Sequence, residues 1–200
     1  MAYRRTAAIQ ARLDASRETI LRAAIALLTD QGYAGCSVAA VAARAGVATG
    51  TVYRHFPSKA DLVTEVFRTA AGREVKAVAQ AVRAPGDQIT AVIETFAGRA
   101  FKAPRLAYAL LAEPVDPAVD TERLIFRRAY RDLVAATITD GVANGTLPPQ
   151  NPDVTAAALV GAIAEALVGP LRTGTPDPDT IPSLITFAHR AVGASHASHA

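Results

Sequence analysis

Between Val38 and Phe56 the chain sets two short apolar patterns on either side of one glycine, and that arrangement leaves few folds open. Val38, Val41, Ala42 and Ala45 fall at helical spacing behind Ser37, whose hydroxyl suits an N-cap. Gly46 ends that helix, because a left-handed φ is cheap only without a Cβ. A second pattern starts near Thr49 and ends around Phe56, since Pro57 disfavours a helical residue before it. Two helices of about two turns joined by a short glycine-containing turn form a helix-turn-helix, whose second helix enters the major groove of DNA. Val41, Val47 and Val52 point into its small core, Ala42 stands where the helices approach closely, and Phe56 anchors the exit.

The rest of the chain extends the helical pattern. Of 200 residues 45 are alanine, which loses least on entering a helix, and β-branched runs are few, so an all-α fold is expected. A helix capped by Ser16 carries Ile20, Ala24, Leu27 and Leu28 and stops at Gly32. Ser58, with Asp61 three residues on, opens another that runs to about Val82. Helices follow over Asp87 to Phe101, Pro104 to Leu111, from Asp120 to the Asn144-Gly145 stop, Asp153 to Val168 and Ile181 to Val192, about nine in all. A proline-rich link is expected from Pro170 to Pro178, and the segment from Glu113 to Pro117 reads as a turn. The expected division is a flexible basic arm over 1–15, a three-helix head over 16–57, a helical bundle over 58–194 and a disordered tail over 195–200.

Charge is unevenly spread. Residues 1–85 hold 12 Arg or Lys against 6 Asp or Glu, and residues 86–200 hold 9 against 12, which sums to the net +3. A basic front on a mildly acidic body fits a polyanion-binding head, although an Arg-rich background with 18 Arg and 3 Lys would look similar. The single cysteine, Cys36, forms no internal disulfide and reads as packing in a reducing, cytoplasmic setting. The first twenty residues carry four arginines and no apolar signal region, and Val154 to Gly169, with Glu165, falls short of a membrane span, so no membrane partner is expected.

With Val52 and Phe56 inward, the second helix presents Thr49, Gly50, Thr51, Tyr53, Arg54 and His55. All but the glycine can donate to phosphates or base edges, and bare Gly50 lets the helix start press close to DNA. Ser37 and Lys59 lie where phosphates would flank the groove. The run from Val47 to Leu62, with the preceding amphipathic helix and the Gly32-Tyr33 stop, resembles the DNA-binding domain of TetR-family transcriptional regulators over about residues 16–66. That resemblance implies a homodimer, a palindromic double-stranded DNA operator and an unidentified small-molecule effector bound by the larger C-terminal part. It also implies base or nearby phosphate contacts for Thr49, Gly50 and Thr51, and backbone contacts for Tyr53, His55 and Lys59. Arg54 varies in character within the family.

Behind the head the signals are weaker. Phe96, Phe101, Tyr108, Leu111, Phe126 and Tyr130 read as core, or as the wall of an effector pocket with Arg105 and Arg127 interspersed. The alternative for those arginines, with Arg131, is to cover the surface or pair with Glu94 and Glu122, and for any one of them the surface is the favoured reading. Small residues on the eighth helix permit close approach, and Ala158, Leu159 and Ala162 with Phe187 are the expected dimer contacts, partly by the resemblance. Glu113, Asp116 and Asp120 read as solvated loop and capping carboxylates, and His189, His196 and His199 do not converge as metal ligands. No metal, cofactor or enzymatic activity is expected, since no nucleophile and base pair or phosphate-binding loop is visible. The expectation is a repressor released by its effector. An activator of the same fold, or a helical ligand-binding protein without specific DNA binding, stays open.

Overall fold

The computed structural model describes residues 7–193, and the described chain forms nine α-helices. They are α1 (Ala7–Gly35), α2 (Val38–Ala45), α3 (Thr49–His55), α4 (Lys59–Ala81), α5 (Gln88–Lys102), α6 (Pro104–Leu111), α7 (Pro117–Ala143), α8 (Pro152–Thr173) and α9 (Thr180–Val192).

Local chemistry sets most boundaries. Ser37 accepts the Ala40 amide at 3.1 Å, and Gly46 ends α2 at φ 66°, which β-carbon-bearing residues rarely adopt. Ser58 and Asp61 form a reciprocal capping box at the start of α4. Gly32 breaks α1 at φ 71° rather than ending it, and a last turn carries on to Gly35.

Besides Gly32, three boundaries differ from the sequence reading. The expected flexible arm is helical from Ala7, and Ser16 lies inside α1 instead of capping it. Alanines at 7, 8, 11 and 15 favour the helix by propensity alone, aided by Gln10 Nε2 donating to Asp14 Oδ1 at 2.9 Å. An exposed helix needs no apolar stripe, so periodicity gave no sign of it. Residues 1–6 and the expected tail over 195–200 lie outside the described residues. α7 begins at Pro117, ahead of Asp120, because proline suits the first helical turn. α8 runs through Pro170, where a proline-rich link was expected. Proline removes one backbone bond there, but buried Leu171 holds the final turn, and left-handed Gly174 closes it on the Pro170 carbonyl at 2.9 Å.

Two apolar cores result. The first joins Ile20 and Leu28 of α1, Val41 of α2, Val52 of α3 and Phe56 to Leu62, Val66 and Phe67 of α4, with Ala109 and Val119 closing it. The second joins α5, α7, α8 and α9 through Ile93, Ala97, Ile138, Leu167 and Ala188. α4 enters both, contributing Phe67 to the first and Val78 to the second.

α8 is longer than the apolar run from Val154 to Gly169 suggested: it has 22 residues, and an 18-residue stretch of it has a mean hydropathy of 1.8, long and apolar enough to cross a membrane by length and composition alone. One face of it, with Leu159, Ile163 and Leu167, is committed to the second core. Leu159, expected at a dimer contact, is 3% exposed and so belongs to that core. Ala158 is exposed, Ala162 half-buried and Phe187 45% exposed.

Cys36 is wholly buried, with Sγ 3.9 Å from the Ala24 carbonyl, and burial pushes its thiol up to about 11. In the folded protein it is expected to be inert to an aromatic disulfide reagent at pH 8, and to react fully once denaturant is added. Fast reaction in native buffer would contradict this packing.

Candidate nucleic-acid interface and internal cavity

α3 is held from behind. Val52 is wholly buried and Phe56 nearly so, and the Arg17 guanidinium lies 5.1 Å over the Phe56 ring while pairing with Glu65 at 3.1 Å. With that face fixed, Thr49, Gly50, Tyr53 and Arg54 are exposed together, and Thr51 is half-buried among them. Tyr53 is 47% exposed, one of the large side chains that the described structure leaves turned to solvent. Ser37 and Lys59 are also exposed, at the starts of α2 and α4. The Lys59 ammonium rests 5.2 Å from the Tyr33 ring centre, so the cation is oriented as well as exposed.

His55 is only half-exposed, and its Nε2 lies 3.2 Å from Ser16 Oγ. Burial, together with the positive Arg54 and Arg17, holds its imidazole below the ordinary histidine range. The residue therefore ties α3 to α1, a structural task that its sequence position did not reveal.

A cavity opens where α4, α5, α6 and α7 meet, with about 690 Å³ of unfilled space counting its mouth. Five of the eight residues expected at a pocket line it: Phe96, Leu111, Phe126, Arg127 and Tyr130. Phe101 and Tyr108 instead pack against the second core. Arg105 turns away to donate to the Asp30 carbonyl on α1. Sequence reasoning missed Phe67, Glu74, Arg99 and Arg123, which come from helices far apart in the chain and carry no local motif.

The charged groups of the cavity are largely spent on the protein. Arg99 grips Glu74 through two bonds, Nε to Oε2 at 2.5 Å and Nη2 to Oε1 at 2.8 Å. Arg123 donates to the Leu110, Ala109 and Glu113 carbonyls at 2.7 to 3.0 Å and pairs with Asp120 at 3.0 Å. Tyr130 is edge-on to Phe96 at 5.1 Å, and its hydroxyl is buried with no hydrogen-bond partner among the described residues. Burial, then the nearby Glu74 carboxylate, raises its phenol far above the usual range, so it keeps its proton.

The turn between α6 and α7 reaches back to the head. The Glu113 carboxylate accepts the Tyr33 amide at 2.9 Å beside the Gly32 break, and the Tyr33 hydroxyl donates to Asp116. The reading of Glu113 as solvated is thus corrected, since it is half-buried and folding brings Tyr33, 80 residues away, onto it, whereas Asp116 is exposed at the N-cap position of α7, as its sequence position suggested. Glu122, considered as a partner for the arginines of the body, is buried and bonded to Arg68 of α4 at 2.5 Å. His189 lies 2.8 Å from Asp87 Oδ2, while His196 and His199 fall outside the described residues. Among the described residues no three His, Cys, Asp or Glu gather closely enough to hold a metal.

Comparison with known proteins places this geometry. The family description "Bacterial regulatory proteins, tetR family" matches residues 20–66, from α1 into α4. An HTH-type transcriptional regulator of Mycobacterium tuberculosis, itself uncharacterised, is 30% identical over 158 residues, or 78% of this chain and 72% of that protein. The transcriptional repressor KstR of Mycolicibacterium smegmatis is 44% identical over 62 residues, 31% of this chain. The chain spans only 28% of that repressor's length. Among solved structures, the regulator FadR of Bacillus subtilis in complex with stearoyl-CoA superposes with a TM-score of 0.74 at 18% identity. That match covers 90% of this chain and 99% of FadR, and it speaks to the fold.

Proposed function

The chain belongs to the TetR family of bacterial regulatory proteins, ligand-responsive DNA-binding transcriptional regulators, and from that premise we propose a repressor that α3 seats on a palindromic operator. The observation that carries this reading is the exposed row Thr49, Gly50, Tyr53 and Arg54 on a helix whose opposite face is locked by Val52 and Phe56. Thr51 reads with that row, Ser37 and Lys59 hold flanking phosphates, and His55 supports them from behind.

A palindromic site needs a twofold pair of heads about one helical turn, roughly 34 Å, apart. The outer face of α8, with Ala158, and Phe187 of α9 are apolar and uncovered, and they supply the homodimer contact. The effector binds in the cavity between α4 and α7. FadR, in complex with stearoyl-CoA, is a relative in fold that takes up a small molecule. Two connections carry occupancy to the head: Phe67, shared by the cavity and the first core, and the turn after α6, held by Arg123 and bonded to Tyr33. The protein acts by binding alone, in the cytoplasm.

The test is fluorescence anisotropy on genomic fragments selected by the purified protein, with random competitor DNA and a salt series. Competitor-resistant binding is expected, with log affinity falling linearly in log salt. Tyr53→Ala should weaken it at least about tenfold at an unchanged thermal midpoint. Equal affinity for selected and random DNA would sink the reading.

A further inference from the structure

We infer that the ligand of the internal cavity is uncharged, an apolar body bearing one hydroxyl or carbonyl oxygen that meets the Tyr130 hydroxyl. The inference deepens the proposal that this cavity is the effector site and rests on it.

Glu74 and Arg99 face each other through two bonds and neutralise one another. Arg123 uses Nε, Nη1 and Nη2 on three carbonyls and one carboxylate, so an incoming anion would have to break the bonds that hold the turn after α6. Arg127 is exposed, and a charge bound to it would stay in water rather than inside. An ionised group carried inward would therefore lose its hydration without gaining a free counter-charge. Among the described residues one buried side-chain polar atom remains unsatisfied, the Tyr130 oxygen, and it lies in this lining. A phenol that keeps its proton can donate to a carbonyl or exchange a hydrogen bond with an alcohol. The surrounding Phe67, Phe96, Leu110 and Phe126 suit the apolar remainder.

The experiment measures binding of four ten-carbon probes, decanol, decanoate, decanoyl-CoA and decyl chloride, to the full chain by calorimetry. Decanol is expected to bind about tenfold or more tighter than decanoate. Tyr130→Phe, which removes only the oxygen, should weaken decanol about fivefold and leave decyl chloride unchanged. A purely structural role for the hydroxyl would move both probes alike. Ala107→Phe, which fills the cavity, should abolish binding of both. If decanoate or decanoyl-CoA binds more tightly than decanol and loses that advantage in Arg127→Ala, the inference falls while the cavity remains the ligand site. If none of the four binds, both the inference and the assignment of the cavity fail.

Discussion

Gly50→Glu is expected to abolish operator binding, by a hundredfold or more, while leaving the thermal midpoint unchanged or slightly raised. Gly50 is exposed and a Cβ there meets nothing within 4 Å, so the fold has room for a side chain to leave the helix toward solvent. Glycine is also the poorer helix former, which favours the substitution by up to about 1 kcal/mol. In the proposed operator complex the same space belongs to DNA, and a carboxylate there would add bulk and repel phosphate. The loss should reach or pass the upper end of the roughly 1 to 3 kcal/mol of a single contact. Gly50→Ala should lie between, at about tenfold. Anisotropy and thermal melts on the same preparations check both halves. Unimpaired binding by Gly50→Glu would mean that the first turn of α3 does not face the operator.

Phe67→Ala should cost about 3 to 5 kcal/mol of stability, the most of any single truncation considered for this chain. Phe67 is 1% exposed, belongs to the first core, walls the cavity and lies 6.0 Å beneath the Arg123 guanidinium. At about 2 to 4 °C per kcal/mol for a chain of this length, the midpoint should fall by roughly 6 to 20 °C. Phe67→Leu, closer in volume, should cost about 1.5 kcal/mol or less and stay folded. That variant then reports on coupling, because a changed wall with an intact core should alter ligand-induced release more than operator affinity. A loss below about 1 kcal/mol for Phe67→Ala would contradict the shared packing.

The sequence was most informative where structure is decided within a few residues. Ser37, Gly46 and the Ser58-Asp61 pair act on neighbours, so their spacing revealed the bounds of α2 and the start of α4 almost to the residue. Ala7 to Ala15 escaped because propensity without burial leaves no apolar period, and the turn at Pro170 because its anchor, Leu171, acts through tertiary packing. The cavity was half legible. Aromatic residues on α5 and α7 signalled it, but Glu74 and Arg99 meet across 25 positions and Arg123 closes on carbonyls that no motif marks. Arg105 was misplaced because one exposed arginine on a short helix has no sequence cue for which neighbour it serves.

The first core does not end at Pro57: it is completed by Leu62, Val66 and Phe67 and closed by Ala109 and Val119. Modularity in this protein is therefore shallower than a two-part description implies. A hybrid regulator cut at residue 57 would inherit a recognition helix whose supporting wall had been left behind. A transplant that keeps its specificity has to carry the first half of α4 and the α6 and α7 residues above it. Change in the body is constrained in the same way, since drift at Ala109 or Val119 is felt by the core beneath the surface proposed to read DNA.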